Sequence, residues 1–282
     1  MAFQNLIPPE FDLEIKNWLK EDIPSFDIGG FVVGSKPAKA VLLGKSTGII
    51  AGKPFFSKVF DFLHCEIEWL KSEGEKITPI EKIAFVTGNI NNILQGERLA
   101  LNIITRMSGI ATFANDMVLL GKKAGFKGRI AGTRKTSPGF RLLEKYALVI
   151  GGADTHRMDL SSMVMLKDNH IASAGNITQA IERARNIASV WYNIEVECKS
   201  FQQAEEAILG GADIVMLDNF TSEAAKKTAQ ELKEKYPQAI IEISGGITKN
   251  TIEEFFSPFI DIISMGNLTT KYNPVDFSLK IV

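Results

Sequence analysis

Apolar and polar positions follow two rhythms along this chain, and the change between them falls near residue 108. Before it, short strand-like runs mix with helical stretches. Residues 40–43 and 48–52 read as a strand pair with a turn between them. Residues 59–70 place apolar side chains at helical spacing, residues 82–88 read as a strand, and a helix is predicted from near Gly96 through Leu99, Leu101, Ile103 and Ile104. After residue 108 the runs become regular. Residues 164–166 precede a helix over 177–188, residues 194–197 one over 201–209, residues 213–217 one over 222–235, and residues 240–243 one near 251–256; residues 260–264 close the series. Such alternation calls for a parallel sheet covered by helices, as an open sheet or a barrel.

The residues after each run favour the barrel. Arg134-Lys135, Lys167-Asp168, Glu197, Asp218-Asn219, Ser244-Gly245-Gly246 and Met265-Gly266 follow successive strands. Barrel enzymes gather their chemistry at that rim, whereas an open sheet concentrates it at one switch point. Wet loops explain one or two polar followers, not a charged or glycine-rich residue after every strand.

Charge sharpens this picture. Lys+Arg number 32 and Asp+Glu 33, for a net charge of −1, so the chain lacks the basic excess of a general nucleic-acid or acidic-membrane binder. Any positive site is therefore local. Arg134, Lys135, His156, Arg157 and Lys167 supply one. Cations at the end of a buried run are costly without an anion to receive them. Each pair at ~4 Å contributes about 4 kcal/mol of raw Coulomb energy at an effective dielectric near 20, before desolvation. The set reads as a socket for a strongly anionic small molecule. Ser244, Gly245 and Gly266 lie in the last two strand-to-helix loops, where bare backbone N–H groups commonly hold phosphate. Glu197 and Asp218 end consecutive strands and suit Mg²⁺, sugar hydroxyls, or the neighbouring cations.

Other features carry less. Gly44-Lys45-Ser46-Thr47 ends like a P-loop, but Lys39 stands where the leading glycine belongs. His64, His156 and His170 lack metal-ligand spacing. Cys65 and Cys198 make no disulfide framework and no zinc pair, and Cys198 reads as a buried thiol. The N-terminal ten residues show no secretory pattern, and no apolar run approaches the roughly 20 residues that span a bilayer. A reducing, cytoplasmic setting is expected.

Taken in order, several motifs resemble the quinolinate phosphoribosyltransferase family. They are Gly96-Glu97-Arg98 with Leu101-Asn102, Gly132 to Thr136 with Pro138-Gly139, Gly151-Gly152, His156-Arg157, Lys167-Asp168-Asn169-His170, Glu195-Val196-Glu197, Leu217-Asp218-Asn219, Ser244-Gly245-Gly246-Ile247 and Gly266. The resemblance runs from about residue 40 to the end. Asp154-Thr155 and Ser161-Ser162 depart from the small residues expected around His156-Arg157.

The resemblance implies an α/β fold: an N-terminal α/β sandwich over residues 1–107, joined by the tail 270–282, and an incomplete (β/α) barrel over 108–269. It implies a phosphoribosyltransferase that converts quinolinate and phosphoribosyl pyrophosphate, with Mg²⁺, to nicotinate mononucleotide, pyrophosphate and CO₂ for NAD biosynthesis. Arg134, His156, Arg157 and Lys167, with Arg98 contributed across a homodimer interface, would bind the pyridine carboxylates. Lys135 and Lys167 would face the phosphorylated ribose. Glu197 and Asp218 would hold ribose hydroxyls and the metal, and Ser244, Gly245 and Gly266 the 5′-phosphate. Lys135, Lys167, Glu197 and Asp218 are the expected catalytic set. A paralogue of the same fold with another substrate, a non-catalytic phosphoribosyl sensor, and an aldolase or isomerase using Lys167 as a Schiff base are the competing readings; the full dicarboxylate-binding set disfavours the first, intact Glu197, Asp218, Lys135 and Lys167 the second, and the adjacent cations with no evident general base the third.

Overall fold

A computed structural model describes residues 7–282. Residues 1–6, part of the start read as carrying no leader, lie outside the described residues. Strands run Pro37–Gly44 (β1), Gly48–Ile49 (β2), Glu66–Trp69 (β3), Lys76–Ile77 (β4), Glu81–Asn89 (β5), Arg129–Ala131 (β6), Val164–Leu166 (β7), Ile194–Cys198 (β8), Ile214–Asp218 (β9), Ile240–Ser244 (β10), Ile262–Ser264 (β11) and Phe277–Ile281 (β12). Helices run Phe11–Asp22 (α1), Gly30–Val33 (α2), Lys53–Phe62 (α3), Ile90–Lys123 (α4), Arg141–Ile150 (α5), Asp168–Ala174 (α6), Ile177–Ala188 (α7), Phe201–Leu209 (α8), Ser222–Lys235 (α9) and Asn267–Thr270 (α10). The chain divides into two compact units, Met1–Phe113 with Tyr272–Val282, and Ala114–Lys271. The division falls inside α4, a single uninterrupted helix, a few residues beyond the 107/108 boundary predicted from the pattern.

The first unit is built on an antiparallel sheet in the order β12-β1-β5-β3, with α3 packed on β3 and α1 packed on α3. The chain's last strand thus joins its first, with Leu42 opposite both Leu279 and Ala84. The returning tail passes α4 closely at Gly109, where a β-carbon would stand 2.6 Å from the Asn273 carbonyl oxygen. An aromatic cluster fills the core: Phe11 meets Phe55 edge-on at 5.0 Å, and Phe56 meets Trp69 at 5.3 Å. The Glu73 carboxylate accepts the Gly52 and Lys53 N–H groups at the start of α3, placing negative charge at the helix N-terminus.

Several expectations for this unit are corrected. Residues 59–70 are not one helix: α3 stops at Phe62, His64 turns left-handed at φ 56, and Glu66–Trp69 alternates outward and inward as a strand against β5. Residues 40–43 and 48–52 do not pair with each other. Both edges of β1 are taken, by β5 and β12, so the second segment pairs with β4, and its Ile49 and Ala51 N–H groups go to the hydroxyls of Thr112 and Ser108. α4 begins at Ile90 rather than Gly96, directly off β5, with the Asn89 side chain accepting the Asn91 N–H.

The second unit carries the regular alternation. Its parallel sheet runs β6-β11-β10-β9-β8-β7, and its helices follow the strands as the periodicity predicts. Asn176, Ser200 and Thr221 cap α7, α8 and α9 by accepting the N–H three residues on. The predicted helix near 251–256 is a short 3₁₀ turn, Ile252–Phe255. No ladder joins β6 to β7 among the described residues. The segment after α5 touches β6 only through an Ala131–Asp154 bridge. A flat sheet would set β8 about 19 Å from β6 at about 4.8 Å per strand. Yet His156, two residues past that bridge, reaches Glu195 of β8 and Glu242 of β10. The sheet is therefore rolled into an incomplete barrel.

Phe56→Ala should cost about 3–5 kcal/mol, because the side chain is fully buried against Phe60 and Trp69. Thr221→Ala should cost about 1 kcal/mol as a lost cap. Urea unfolding of both variants checks the contrast.

Candidate active site

The C-terminal ends of the barrel strands surround a cavity of about 430 Å³. Alternation decides which side chains face it. Along β8, Glu195 and Glu197 share the inward face while Val196 and Cys198 are buried on the other, where the Cys198 thiol is pushed up to about 12 by burial. Lys167 after β7, Asp218 of β9, Ser244 of β10 and Ser264 of β11 line the cavity in the same way, above Met165 and Met216. Thr133, Arg134 and Lys135 enter from the loop after β6. That loop is anchored: the Lys135 carbonyl accepts from the Thr269 hydroxyl at 2.7 Å, and the Ser137 N–H donates to Glu144 at 3.2 Å.

Both charge signs meet here. The Lys167 ammonium pairs with the Glu197 carboxylate, and Asn219 donates to Asp218 at 2.8 Å. Gly245 and Gly246 adopt φ of 97° and 67°, and a β-carbon on Gly245 would lie 2.3 Å from the Asn219 side-chain oxygen. Only glycine gives this loop its shape, which leaves backbone open toward the cavity. Gly266 does not line the cavity; it lies against the Lys135 side chain. Arg98 belongs to the first unit, exposed on α4.

Beneath the cavity floor lies a buried ionic layer. His156, left-handed at φ 57, points its Nε2 at Glu242 (3.2 Å) and Glu195 (3.5 Å), and the Ser264 hydroxyl donates to Glu242 at 2.5 Å. Burial opposes charging the ring, but the two carboxylates outweigh it and raise the His156 pKa to about 9. Burial raises the Glu195 carboxyl above the ordinary range, and neither of its oxygens has a full hydrogen bond. His156, Glu195 and Glu242 converge within 4.8 Å, a grouping that the spacing of the histidines along the sequence does not reveal. The Arg157 N–H, however, donates to His156 Nδ1 at 2.7 Å. In that neutral tautomer Nε2 carries the proton, and in the charged ring that the carboxylates favour it carries one as well; in either state it offers them a donor, not a lone pair to a metal. A second cavity of about 460 Å³, lined in part by Ile214, Ile262 and Met163, lies on the other side of this layer.

Arg134, Lys135, His156, Arg157, Lys167, Glu197, Asp218, Ser244 and Gly245 all line the one cavity. Sequence reasoning missed Lys145 and Glu242, and noted Asn219 only as a rim residue beside Asp218. Glu242 had a signal, a carboxylate inside an apolar strand, which is rare without a partner. Lys145 had none, because a lysine in an amphipathic helix reads as surface.

The sequence matches the description "Quinolinate phosphoribosyl transferase, N-terminal domain" over residues 25–108 and "C-terminal domain" over residues 110–280. The chain belongs to the quinolinate phosphoribosyl transferase family. Among relatives of this family, the rat protein named nicotinate-nucleotide pyrophosphorylase [carboxylating] is 47% identical over 281 residues, covering 99% of this chain and 94% of its own. The Dictyostelium discoideum protein of the same name is 49% identical over 290 residues, covering 97% of each. The solved structure of NadC from Streptococcus pyogenes superposes with a TM-score of 0.90 at 34% identity over 98% of both chains. The nicotinate-nucleotide pyrophosphorylase from Francisella tularensis gives 0.91 at 33% over the same shares.

The raised pKa of His156 has a sign. Its contribution to stability is complete below the unfolded value near 6.5 and is lost as pH rises through about 9. The melting-temperature gap between wild type and His156→Gln should be widest below pH 6.5 and close by pH 10. Thermal unfolding across that range measures it.

Proposed function

We propose that this chain transfers a phosphoribosyl group from phosphoribosyl pyrophosphate to quinolinate and decarboxylates the product, giving nicotinate mononucleotide, pyrophosphate and CO₂ in NAD biosynthesis. The observation that carries the proposal is the near full-length match to proteins named for this carboxylating pyrophosphorylase activity. The cavity suits the chemistry.

Arg134, Arg157 and Lys167 meet the two ring carboxylates, with guanidinium forks matched to carboxylate geometry. His156 has both ring nitrogens engaged, so it serves first by fixing the loop that carries Arg157. Lys135 faces the phosphorylated ribose, and the Ser244–Gly246 loop receives the 5′-phosphate through backbone N–H groups. The ring nitrogen attacks C1′ as the bond to pyrophosphate breaks, and pyrophosphate leaves with the electron pair. Glu197 and Asp218 stabilise the positive charge that grows on the ribose. The ribosylated ring is cationic and accepts the electrons freed when the adjacent carboxylate departs as CO₂; a proton then fills that carbon. Position and field are the protein's contribution.

Glu197 and Asp218 also fit Mg²⁺. They are hard oxygen donors on adjacent strands, and each keeps one oxygen beyond its contact with Lys167 or Asn219. When bound there, Mg²⁺ neutralises charge on the pyrophosphate group.

The proposed assembly is a homodimer in which Arg98 of the partner subunit completes the cationic wall. Arg98 is exposed on α4, and Phe26, Ile28, Phe31 and Val32 expose apolar side chains in the same unit. A cytoplasmic location is proposed with it. Cys65 and Cys198 are both buried free thiols, and no helix among the described residues is long and apolar enough to cross a membrane.

Incubation with phosphoribosyl pyrophosphate, Mg²⁺ and either quinolinate or nicotinate tests the reaction. CO₂ release with quinolinate is expected, and turnover of nicotinate alone would sink the reading. Inactive Arg98→Ala and Lys135→Ala subunits, mixed under conditions of proven exchange, should regain partial activity. No recovery would count against a shared site.

A further inference from the structure

Lys145 sits on the second turn of α5 and is 1% exposed. A buried ammonium needs acceptors, and this one has two backbone carbonyls: Nζ donates to Thr155 and, at 2.9 Å, to Arg157. The two carbonyls bracket His156, whose backbone is left-handed. Three points of one short loop are thereby pinned, the carbonyls by Lys145 and the imidazole by Glu242 and Glu195. Arg157 follows directly and lines the cavity.

The position is electrostatically unfavourable. Burial first, then Arg141, Arg157 and Arg134, lower the Lys145 pKa to about 8, with Glu144 acting the other way. An apolar side chain there would avoid that cost and would leave both carbonyls without their donor.

We propose that Lys145 is a positioning residue for dicarboxylate binding: by clamping the carbonyls on either side of His156 it sets the direction in which Arg157 enters the cavity. The proposal rests on the quinolinate reading above. Two carboxylates on one flat ring demand cations at fixed angles, whereas the phosphoribosyl substrate is met by Lys135 and the Ser244–Gly246 loop, which Lys145 does not touch. Its removal should therefore act on one substrate.

Steady-state kinetics of full-length Lys145→Met, Lys145→Gln and Lys145→Arg separate this role from a general structural one. Lys145→Met should raise KM for quinolinate about tenfold or more, with KM for phosphoribosyl pyrophosphate within about twofold of wild type. Lys145→Arg should recover part of the loss. Calorimetric binding of benzene-1,2-dicarboxylate, an unreactive dianion, should weaken in the same order. If Lys145→Met does not fold, the Gln and Arg variants carry the comparison, with Gln expected to lose more. Unchanged quinolinate KM in the folded variants, or equal rises for both substrates, would overturn the proposal. A wild type that neither binds nor turns over quinolinate would overturn the parent reading, and this one with it.

Discussion

The cavity depends on how the rolled sheet is closed. Between β6 and β7 a strand is missing, and residues 153–157 occupy its place. One parallel bridge, Ala131 to Asp154, ties that segment to the ladder. The rest of the closure is ionic: Arg129 forks onto Asp154, Lys145 holds two carbonyls, and His156 meets two carboxylates across the interior. A hydrogen-bonded strand would fix its side chains by alternation alone. A loop must be fixed by its own contacts, and beyond the bridge the side chains that reach it from other elements are charged. The cations facing the cavity are thus set by the charges behind them.

That arrangement settles an apparent conflict between a chain of net charge −1 and a strongly cationic site. Charge is segregated by depth and by strand. Cations come from the loops beside β6 and β7, and carboxylates from β8, β9 and β10. Without ligand the two sets partly neutralise each other, as Lys167 does with Glu197. Binding an anion is then an exchange of partners, which costs less than exposing two bare charges.

The second unit could be read from the sequence almost strand by strand, because the units that end in α7, α8 and α9 repeat one instruction: an apolar run, a polar rim residue, a capped amphipathic helix. Asn176, Ser200 and Thr221 stand where capping requires them. The rim residues followed, since a strand's inward face is fixed by parity. The first unit was harder. Residues 59–70 superpose a helix end and a strand start whose apolar positions happen to agree with both periods, and only the partner strand decides between them. The pairing of β12 with β1 spans almost the whole chain and leaves no local trace. Lys145 was invisible for a related reason: the carbonyls it serves become neighbours only once the loop has closed.

The ionic layer of His156, Glu195 and Glu242 lies between the two cavities of the barrel. A floor of paired charges passes neither a pyridine ring nor a phosphate, so the barrel is a cup and not a pipe. Everything that reaches the reacting carbon arrives over the rim and departs over it.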